Sequence, residues 1–381
     1  MPASLELSGH RFQVIYRICG TSDEVRARAR EICIEQTVEF PEALLPDGDI
    51  RNHIVGHIEA ITSIGESQHE VAISYAIETS GFELTQLINV IFGNTSMQPG
   101  VRVERVIMPE ILLRAFPGPR YGREGLRDYL GVPRRPLLCT ALKPMGLSAE
   151  ALAKLAHTLA LGGIDIIKDD HGLADQPFAP FRERVARCAE AIDRANQITG
   201  FKCIYAPNVS SWGDQTWHQA RLARQLGAGA LLIAPGLVSF GMLQQVANDE
   251  QVGLPILGHP ALLGSFAVHP DHGISHRVIF GQLMRLAGAD ATIFPNYGGR
   301  FSFSPEACQA IAQATAEPMG HVRPTFPTPA GGMTIARVPE MRAAYGDDVI
   351  LLIGGGLHLH GPDLLANCRA FRRLVESQAP S

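Results

Sequence analysis

The sequence lacks any CxxC pair, although it contains seven cysteines, at positions 19, 33, 139, 188, 203, 308 and 368. An odd, scattered set without paired spacing argues against a disulfide framework and against a zinc site built from cysteines. We therefore expect reduced cysteines that serve as packing residues in the interior.

The chain also lacks long apolar runs and a strong excess of charge of one sign. No run approaches the roughly 20 apolar residues of a membrane-spanning helix, and the amino-terminal residues show no basic region followed by an apolar core. The net charge of -5 gives no basis for binding nucleic acid or an anionic membrane surface. With 46% hydrophobic and 19% charged residues, the composition predicts a soluble, cytoplasmic globular protein.

Glycine and proline are abundant, with 38 and 26 residues, which indicates many short loops. Strand patterns at 12–19 and 68–77 alternate with helical patterns at 22–34 and 82–92. This interleaving predicts an N-terminal α+β domain of the ferredoxin-like kind. The glycine- and proline-rich stretch that begins at Pro117 is the predicted linker, so we place this domain at residues 1–120.

Short apolar strands then recur eight times, which predicts a (β/α)8 TIM barrel at residues 121–381 and an α/β fold class. Helical patterns fill most of the intervals, for example at 149–161, 181–197, 215–226 and 307–315. The predicted strands are 137–142, 164–168, 202–206, 230–234, 255–258, 291–294, 325–327 and 349–353.

One of these strands runs straight into four ionisable side chains, Lys168, Asp169, Asp170 and His171. The carboxyl end of a buried parallel strand is where α/β proteins place ligands and catalytic groups, so we expect Lys168, Asp170 and His171 to meet at one point. On the residues alone, an ordinary ion pair of Lys168 with Asp169 or Asp170 is an equally good interpretation.

Polar and glycine residues also follow the other strands. Barrel enzymes build their sites at this rim and commonly bind phosphate in the loops after the last two strands. Turns need glycine in any case, so a single glycine loop is weak evidence. The residues concerned are Lys143, Asn208 and His259 after the first, third and fifth strands, Gly331 and Gly332 after the seventh, and Gly354, Gly355 and Gly356 after the eighth.

The segment GGIDIIKDDHGLADQPFAPFRERV resembles the metal-site segment of the RuBisCO large subunit and its RuBisCO-like relatives. LGHPALLGSF and AGADATIFPNYGGRFSFS resemble the RuBisCO-like proteins more than the carboxylases. The resemblance implies that Lys168 is carbamylated by CO₂ and that the carbamate, Asp170 and His171 hold a divalent metal, Mg²⁺ in the family. His171 stands where the family has glutamate, and imidazole suits Mn²⁺ or a softer ion better.

By the same resemblance, Lys143 and His259 match an active-site lysine and an active-site histidine. Arg300 and Pro260 fall where carboxylases carry their loop lysine and a phosphate-binding arginine, so we exclude carbon fixation. Two interpretations of Arg300 remain. It is either a bidentate ligand of a phosphate or carboxylate group, or an arginine that faces solvent. Glu35 and Asn94 match positions that reach the active site of a neighbouring subunit, which implies at least a homodimer.

The chemistry implied by the resemblance proceeds through a metal-bound enediolate. Because Lys143 is present and Asn94 stands where methionine-salvage enolases carry a lysine, we expect a decarboxylase, a carboxy-lyase acting on a phosphorylated 3-oxo sugar acid of the 3-oxo-isoapionate 4-phosphate type. One alternative is an enolase or isomerase of a methylthio sugar phosphate in methionine salvage. The other is a non-catalytic regulatory protein that has kept the barrel.

Overall fold

The computed structural model describes residues 5–377, and the chain divides into two compact units. The first contains the residues up to Pro117 together with Leu263–Leu283 and Met319–Val322. The second contains Gly118–Leu262, Met284–Pro318 and the residues from Arg323 onward. The predicted division between residues 120 and 121 assigned both inserted segments to the barrel. Residues 1–4 of the first predicted domain and residues 378–381 of the second lie outside the described residues.

The first unit is built on a five-stranded sheet in the order β10-β4-β1-β3-β2. In β1 the even-numbered residues from Phe12 to Ile18 are fully buried, as the alternating sequence pattern predicts. The sequence patterns missed β2 and β4. The elements are β1 (Arg11–Cys19), β2 (His57–Ser63), β3 (Gln68–Ala76), β4 (Val101–Ile107) and β10 (Gly273–Ile274), with helices α1 (Ser22–Glu35), α2 (Leu84–Phe92), α3 (Glu110–Leu113) and α10 (Gly264–Ala267).

Two buried or half-buried arginines explain why the segment 263–283 belongs to this unit. Arg102 on β4 donates hydrogen bonds to the carbonyl oxygens of Ala267, His269 and His272. Arg17 on β1 pairs with the carboxylate of Asp271 at 2.9 Å. The Arg102 guanidinium thus supplies donors to backbone carbonyl groups of the segment, and Arg17 pairs with its carboxylate, so both arginines tie the segment to the sheet.

The second unit contains eight parallel strands in two four-stranded sheets, β13-β5-β6-β7 and β12-β11-β9-β8, and an isolated parallel bridge from Asn208 to Leu232 connects β7 with β8. All eight predicted barrel strands are present, and the predicted α/β class with a C-terminal barrel is confirmed. The strands are β5 (Leu137–Leu142), β6 (Ile166–Asp169), β7 (Ile204–Ala206), β8 (Leu231–Ile233), β9 (Ile256–Gly258), β11 (Ala291–Pro295), β12 (Phe326–Ala330) and β13 (Ile350–Leu352).

Helices surround these strands in the order expected of such a barrel. The four helices predicted by range are present within a few residues, and further helices lie in other intervals between the strands, as the prediction of helical patterns in most intervals implies. The helices are α4 (Gly122–Leu130), α5 (Ala149–Leu161), α6 (Phe181–Thr199), α7 (Gln215–Gln225), α8 (Pro235–Val238), α9 (Phe240–Asn248), α12 (Pro305–Ala314), α13 (Val338–Tyr345), α14 (Gly355–His358) and α15 (Leu364–Ser377), and α11 (Leu283–Leu286) begins where the first unit's inserted segment ends.

The barrel interior is filled by apolar side chains, so it is a packed core rather than a channel. All seven cysteines are free, and six of them are buried, as expected. No helix within residues 5–377 has the length and apolar character needed to cross a membrane. The core cluster includes Leu137, Cys139, Ile166, Ile204, Ala206, Ala230, Leu232, Leu257, Ala291, Ile293, Phe326, Ile350 and Leu352.

A buried ion pair holds the amino end of β6. Asp165 accepts two hydrogen bonds from Arg135, at 2.6 and 2.8 Å, and a third from the backbone N–H of Leu138 at 2.8 Å. Both side chains are less than a tenth exposed. The bidentate geometry and the third donor satisfy the carboxylate, which a buried charge requires. Asp165 therefore anchors the start of the strand whose other end carries Lys168.

We expect Asp165→Ala to destabilise the protein by about 3–5 kcal/mol, because it leaves the buried Arg135 guanidinium without its bidentate partner and with only the longer 3.8 Å contact to Glu376. Glu190→Ala is the matched control: Glu190 pairs with Arg194 at 2.7 Å on the exposed face of α6, and its loss should cost at most about 0.5 kcal/mol. Chemical denaturation of both variants measures the difference. Equal losses for the two variants would contradict the anchoring role.

Candidate active site

Lys168 lies on the interior face of the barrel near the end of β6. It is in register with Ala141 of β5 and Ala206 of β7, and it is only 3% exposed. Its Nζ donates a hydrogen bond to the backbone oxygen of Asp169 at 3.0 Å. Burial lowers the pKa of Lys168, which favours the neutral amine that reacts with CO₂.

Asp170 receives two polar contacts from neighbouring side chains. Lys143 Nζ lies 2.7 Å from its Oδ1, and His171 Nδ1 lies 3.2 Å from the same oxygen. Burial acts to raise the pKa of Asp170, but the hydrogen bonds from His171 and Lys143 outweigh it and hold this pKa well below its usual range. Asp170 is therefore a carboxylate, and none of the contacts described within residues 5–377 engages its Oδ2.

His259, after β9, stacks on His171 with ring centroids 4.6 Å apart and planes 14° from parallel. Burial lowers the pKa of His259 well below its usual value of 6.5, so its imidazole is neutral. Its Nδ1 accepts a hydrogen bond from the backbone N–H of Ala261 at 3.1 Å, which places the ring proton on Nε2. His259 therefore presents an N–H donor.

The structure thus brings the side chains of Lys143, Asp170, His171 and His259 together at the end of β6, where Lys168 is buried. Among residues 5–377, no three histidine, cysteine, aspartate or glutamate side chains are grouped closely enough to hold a metal ion. A metal site with three protein ligands here would need a ligand besides Asp170 and His171, and a carbamylated Lys168 would supply an oxygen for it. His171 Nδ1 lies 3.2 Å from Asp170 Oδ1, so its other ring nitrogen, Nε2, is the one that would ligate a metal; two oxygen ligands and one nitrogen ligand would fit a divalent ion such as Mn²⁺.

Asp169, which the sequence suggested as an ion-pair partner of Lys168, pairs with other residues. Its carboxylate is fully buried and accepts hydrogen bonds from the Tyr205 hydroxyl at 2.6 Å and from Arg184 Nε at 3.2 Å. Successive side chains of a strand point to opposite faces, so Asp169 cannot share the face of Lys168. That alternation was visible in the sequence and shows that Asp169 faces away from Lys168, but it does not identify the partners, which lie on α6 and β7.

The glycine loops after β12 and β13 approach each other and the loop after β11. A methyl group on Gly299 would lie 2.2 Å from the Gly331 carbonyl oxygen, and one on Gly356 would lie 2.3 Å from the Met333 carbonyl oxygen. Only glycine permits such backbone contacts. The Cβ position of Gly354 lies 3.8 Å from Lys143 Cε, so the last of these loops borders the Lys143 side chain.

Arg300 is exposed, and its guanidinium lies over the Phe301 ring, 5.0 Å from the centroid. Phe301 in turn borders the Cβ position of Gly331 at 3.2 Å. The structure therefore places Arg300 in the loop that packs on Gly331 and Gly332. No contact described in residues 5–377 joins Arg300 to Lys143 or Asp170.

Glu35 and Asn94 belong to the first unit. Asn94 Nδ2 donates a hydrogen bond to Glu35 Oε1 at 2.9 Å, although the two residues are 59 positions apart in sequence. Gln36, which is 7% exposed, binds both the end of α2 and the backbone N–H of Thr95, and so fixes the neighbours of this pair. The two predicted residues thus form one polar group.

The family model of the ribulose bisphosphate carboxylase large chain, catalytic domain, matches residues 122–379. Ribulose bisphosphate carboxylase-like protein 1 from Rhodopseudomonas palustris is 44% identical over 367 residues, 96% of this chain and 98% of that protein. A 5-methylthioribulose-1-phosphate isomerase from Rhodospirillum rubrum is 44% identical over 348 residues, 91% of each chain.

Solved structures show the same similarity. The crystal structure of a Rubisco-like protein from Rhodopseudomonas palustris matches 97% of this chain and 99% of its own, with a TM-score of 0.87 and 39% identity. A dimeric archaeal Rubisco from Hyperthermus butylicus matches 98% of this chain and 91% of its own, with a TM-score of 0.89 and 26% identity. The chain therefore belongs to the family of the ribulose bisphosphate carboxylase large chain, as one of its RuBisCO-like proteins.

Proposed function

We propose that this protein is a metal-dependent isomerase that moves a proton within a phosphorylated methylthio sugar. The proposal favours the isomerase alternative over the decarboxylase expected from the sequence. Its support among relatives is the 5-methylthioribulose-1-phosphate isomerase that shares 44% of residues over 91% of the chain. No relative described above is named as a decarboxylase of a 3-oxo sugar acid.

The observation that carries the proposal is the convergence of Lys143, Asp170, His171 and His259 at the end of β6, beside the buried amine of Lys168. A divalent ion bound by carbamylated Lys168, Asp170 and His171 would polarise a substrate carbonyl and the hydroxyl next to it. Proton transfer between adjacent carbons then needs one group that moves protons and one that stabilises the developing oxyanion.

The chain supplies both groups. The Lys143 side chain is held at the rim by Asp170, and in this proposal its Nζ transfers the proton: as the neutral amine it accepts the proton from one substrate carbon, and as the ammonium it returns the proton to the next carbon. The neutral His259 offers its Nε2–H to the substrate oxygen on which negative charge develops. Because His259 is already neutral, it donates this hydrogen bond without itself being an acid of the reaction. Proton transfer is therefore assigned to a residue that follows β5, and oxyanion stabilisation to one that follows β9.

The loops of the last strands supply the phosphate site in this proposal. Gly331, Gly332, Gly354, Gly355 and Gly356 expose backbone N–H groups that an anion can approach closely. Gly354 borders Lys143, which would bring the phosphate-bearing end of the substrate near the proton-transferring group. In the same proposal, Arg300, in the loop after β11, contributes a positive charge that binds the substrate phosphate.

We further propose that the active protein is a homodimer or a larger assembly. Glu35 and Asn94, held together at 2.9 Å in the first unit, would reach the active site of a second copy. Glu35→Gln and Lys143→Met test this: each homodimer should be inactive, whereas mixing the two should restore part of the activity through mixed dimers. Lack of recovery despite demonstrated subunit exchange would contradict shared sites.

An NMR time course in D₂O tests the reaction. The protein is incubated with Mn²⁺ or Mg²⁺, bicarbonate and 5-methylthioribulose 1-phosphate, and a parallel sample contains 3-oxo-isoapionate 4-phosphate. We expect rearrangement of the methylthio sugar, with or without deuterium incorporation, and no CO₂ release from the second substrate. Release of CO₂ with one deuterium in a ketose phosphate would instead establish the decarboxylase.

The decarboxylase remains the second candidate because of one contact. The Lys143–Asp170 pair at 2.7 Å holds a cationic acid at the rim, and a decarboxylase needs an acid to protonate the enediolate carbon after CO₂ leaves. The third alternative, a non-catalytic regulatory protein, requires inertness with both substrates and no thermal shift when metal and bicarbonate are added.

We expect His171→Glu to shift the metal preference from Mn²⁺ toward Mg²⁺, because it replaces an imidazole nitrogen by the hard oxygen that Mg²⁺ prefers. Isothermal titration with each ion, in bicarbonate, measures the ratio of the two affinities. His218→Glu is the control, since His218 lies on α7 and is half-exposed beside Asp214. An unchanged ratio in His171→Glu would place His171 outside the set of ligands.

A further inference from the structure

Asn208 follows β7 at the rim of the barrel, and its side chain is 5% exposed. Its Nδ2 donates two hydrogen bonds, to the carbonyl oxygens of His171 at 3.0 Å and Leu173 at 2.9 Å. Its Oδ1 accepts a hydrogen bond from the backbone N–H of Ser210 at 3.1 Å. Both amide hydrogens are thus used on the backbone of the segment that continues β6.

The backbone of Asn208 makes a further bond to the same segment. Its N–H donates to Asp169 Oδ2 at 3.0 Å, and Asp169 is otherwise held by Tyr205 and Arg184. Asn208 therefore contacts the chain on both sides of Asp170, at Asp169 before it and at His171 and Leu173 after it. A short hydrogen bond of 2.9 Å from Leu173 N–H to the Asp170 carbonyl closes the turn between them.

This arrangement matters because Asp170 and His171 lie in a loop. Without hydrogen bonds to this backbone, their side chains would occupy a range of positions. A residue that ligates nothing but fixes the backbone around a ligand pair controls affinity through geometry. The carbonyl oxygens of His171 and Leu173 both accept hydrogen bonds from the Asn208 amide, which fixes the peptide plane that follows His171 and with it the direction in which the His171 side chain leaves the backbone.

We propose that Asn208 is a positioning residue that holds the 169–173 segment so that Asp170 and His171 can bind the metal. The inference rests on the proposed function, because it takes these two residues as ligands. It adds a residue that touches neither metal nor substrate, on a strand adjacent to the one that carries the ligands.

The test compares two asparagines that contact opposite ends of β7: Asn208 follows the strand, and Asn196, which lies on α6, binds the backbone just before it. Asn208→Asp keeps the shape and the acceptor oxygen but removes both amide hydrogens, and Asn208→Ala removes the amide without adding charge. Asn196 is the matched control: it bridges the N–H and carbonyl groups of Cys203, each at 2.9 Å, at the amino end of β7. Asn196→Asp and Asn196→Ala therefore disturb the strand without touching residues 169–173.

Two readouts are taken on the full-length protein, Mn²⁺ affinity by isothermal titration in bicarbonate and hydrogen–deuterium exchange of the 169–173 backbone. We expect both Asn208 variants to bind Mn²⁺ about 10–100-fold more weakly and to exchange faster in this segment. The Asn196 variants should match the wild type in both. The conservative Asn208→Asp variant should exchange as fast as Asn208→Ala, because neither variant retains the side-chain amide hydrogens that bind residues 171 and 173.

Wild-type Mn²⁺ affinity in both Asn208 variants would overturn the inference, as would an equal loss of affinity in the Asn196 variants. If the wild-type protein itself binds no Mn²⁺, the proposed metal-dependent function is wrong. Hydrogen–deuterium exchange of residues 169–173 then tests the positioning role of Asn208 by itself. Faster exchange confined to the Asn208 variants would still support the positioning role, whereas unchanged exchange would overturn it.

Discussion

Lys168→Met should reduce kcat by on the order of 1,000-fold or more and should abolish the dependence of activity on bicarbonate. Methionine fills a volume similar to that of lysine but cannot form a carbamate. Because Lys168 is 3% exposed and flanked by Ala141 and Ala206, an apolar replacement suits its surroundings. We therefore expect a folded protein that has lost its metal site rather than an unfolded one.

Titration with Mn²⁺, circular dichroism and thermal melting separate these outcomes. Lys154→Met is the control, because Lys154 is exposed on α5 and pairs only with Glu150 in the described structure, at 2.7 Å. It should leave activity and Mn²⁺ affinity unchanged. Retention of wild-type Mn²⁺ affinity in Lys168→Met would show that this lysine is not a ligand, and the site would then need another oxygen donor.

Lys143→Met should lower kcat by about 10²–10⁴-fold while leaving Mn²⁺ affinity within a few-fold of the wild type. The two effects separate because the Lys143 ammonium contacts Asp170 Oδ1 without being a proposed ligand. Loss of this ammonium also leaves Asp170 with His171 as its remaining side-chain partner at that oxygen. The same measurements as for Lys168→Met therefore distinguish proton transfer from metal binding.

Wild-type kcat in Lys143→Met would remove this residue from proton transfer. A loss of Mn²⁺ affinity as large as that of Lys168→Met would instead assign Lys143 to the metal site. Lys143→Arg provides a further control: it keeps a positive charge beside Asp170, but an arginine stays protonated at any pH of the assay and cannot act as a base. It should preserve metal binding without restoring turnover.

Most of the barrel could be predicted because its strands are buried on both faces and appear as short apolar runs between helical patterns. The proximity of Lys168 and Asp170 was also expected from sequence, since both lie where a buried parallel strand ends and α/β proteins place their functional groups. His259 could be placed at the same rim for a similar reason: its own strand ends there. What these positions have in common is that local chain geometry determines them.

The pairing of Asp169 with Arg184 and Tyr205 was not predicted, because it depends on the packing of α6 and β7 against β6 rather than on the order of residues within one strand. The contact between Glu35 and Asn94 is of the same kind, joining the ends of two helical regions. The two-residue strand β10 was too short to give any periodic pattern. Each of these features is set by long-range contacts.

The sheet of the first unit includes β10, so its fifth strand comes from residues that lie between two barrel strands in sequence. During synthesis, the ribosome must therefore have released more than half of the chain before the Arg102 guanidinium can find its three carbonyl partners. Domains of many proteins fold in the order in which they are made. Here the amino-terminal unit must wait for a segment of the barrel's sequence, so a fragment ending at residue 120 would lack a strand of its own sheet.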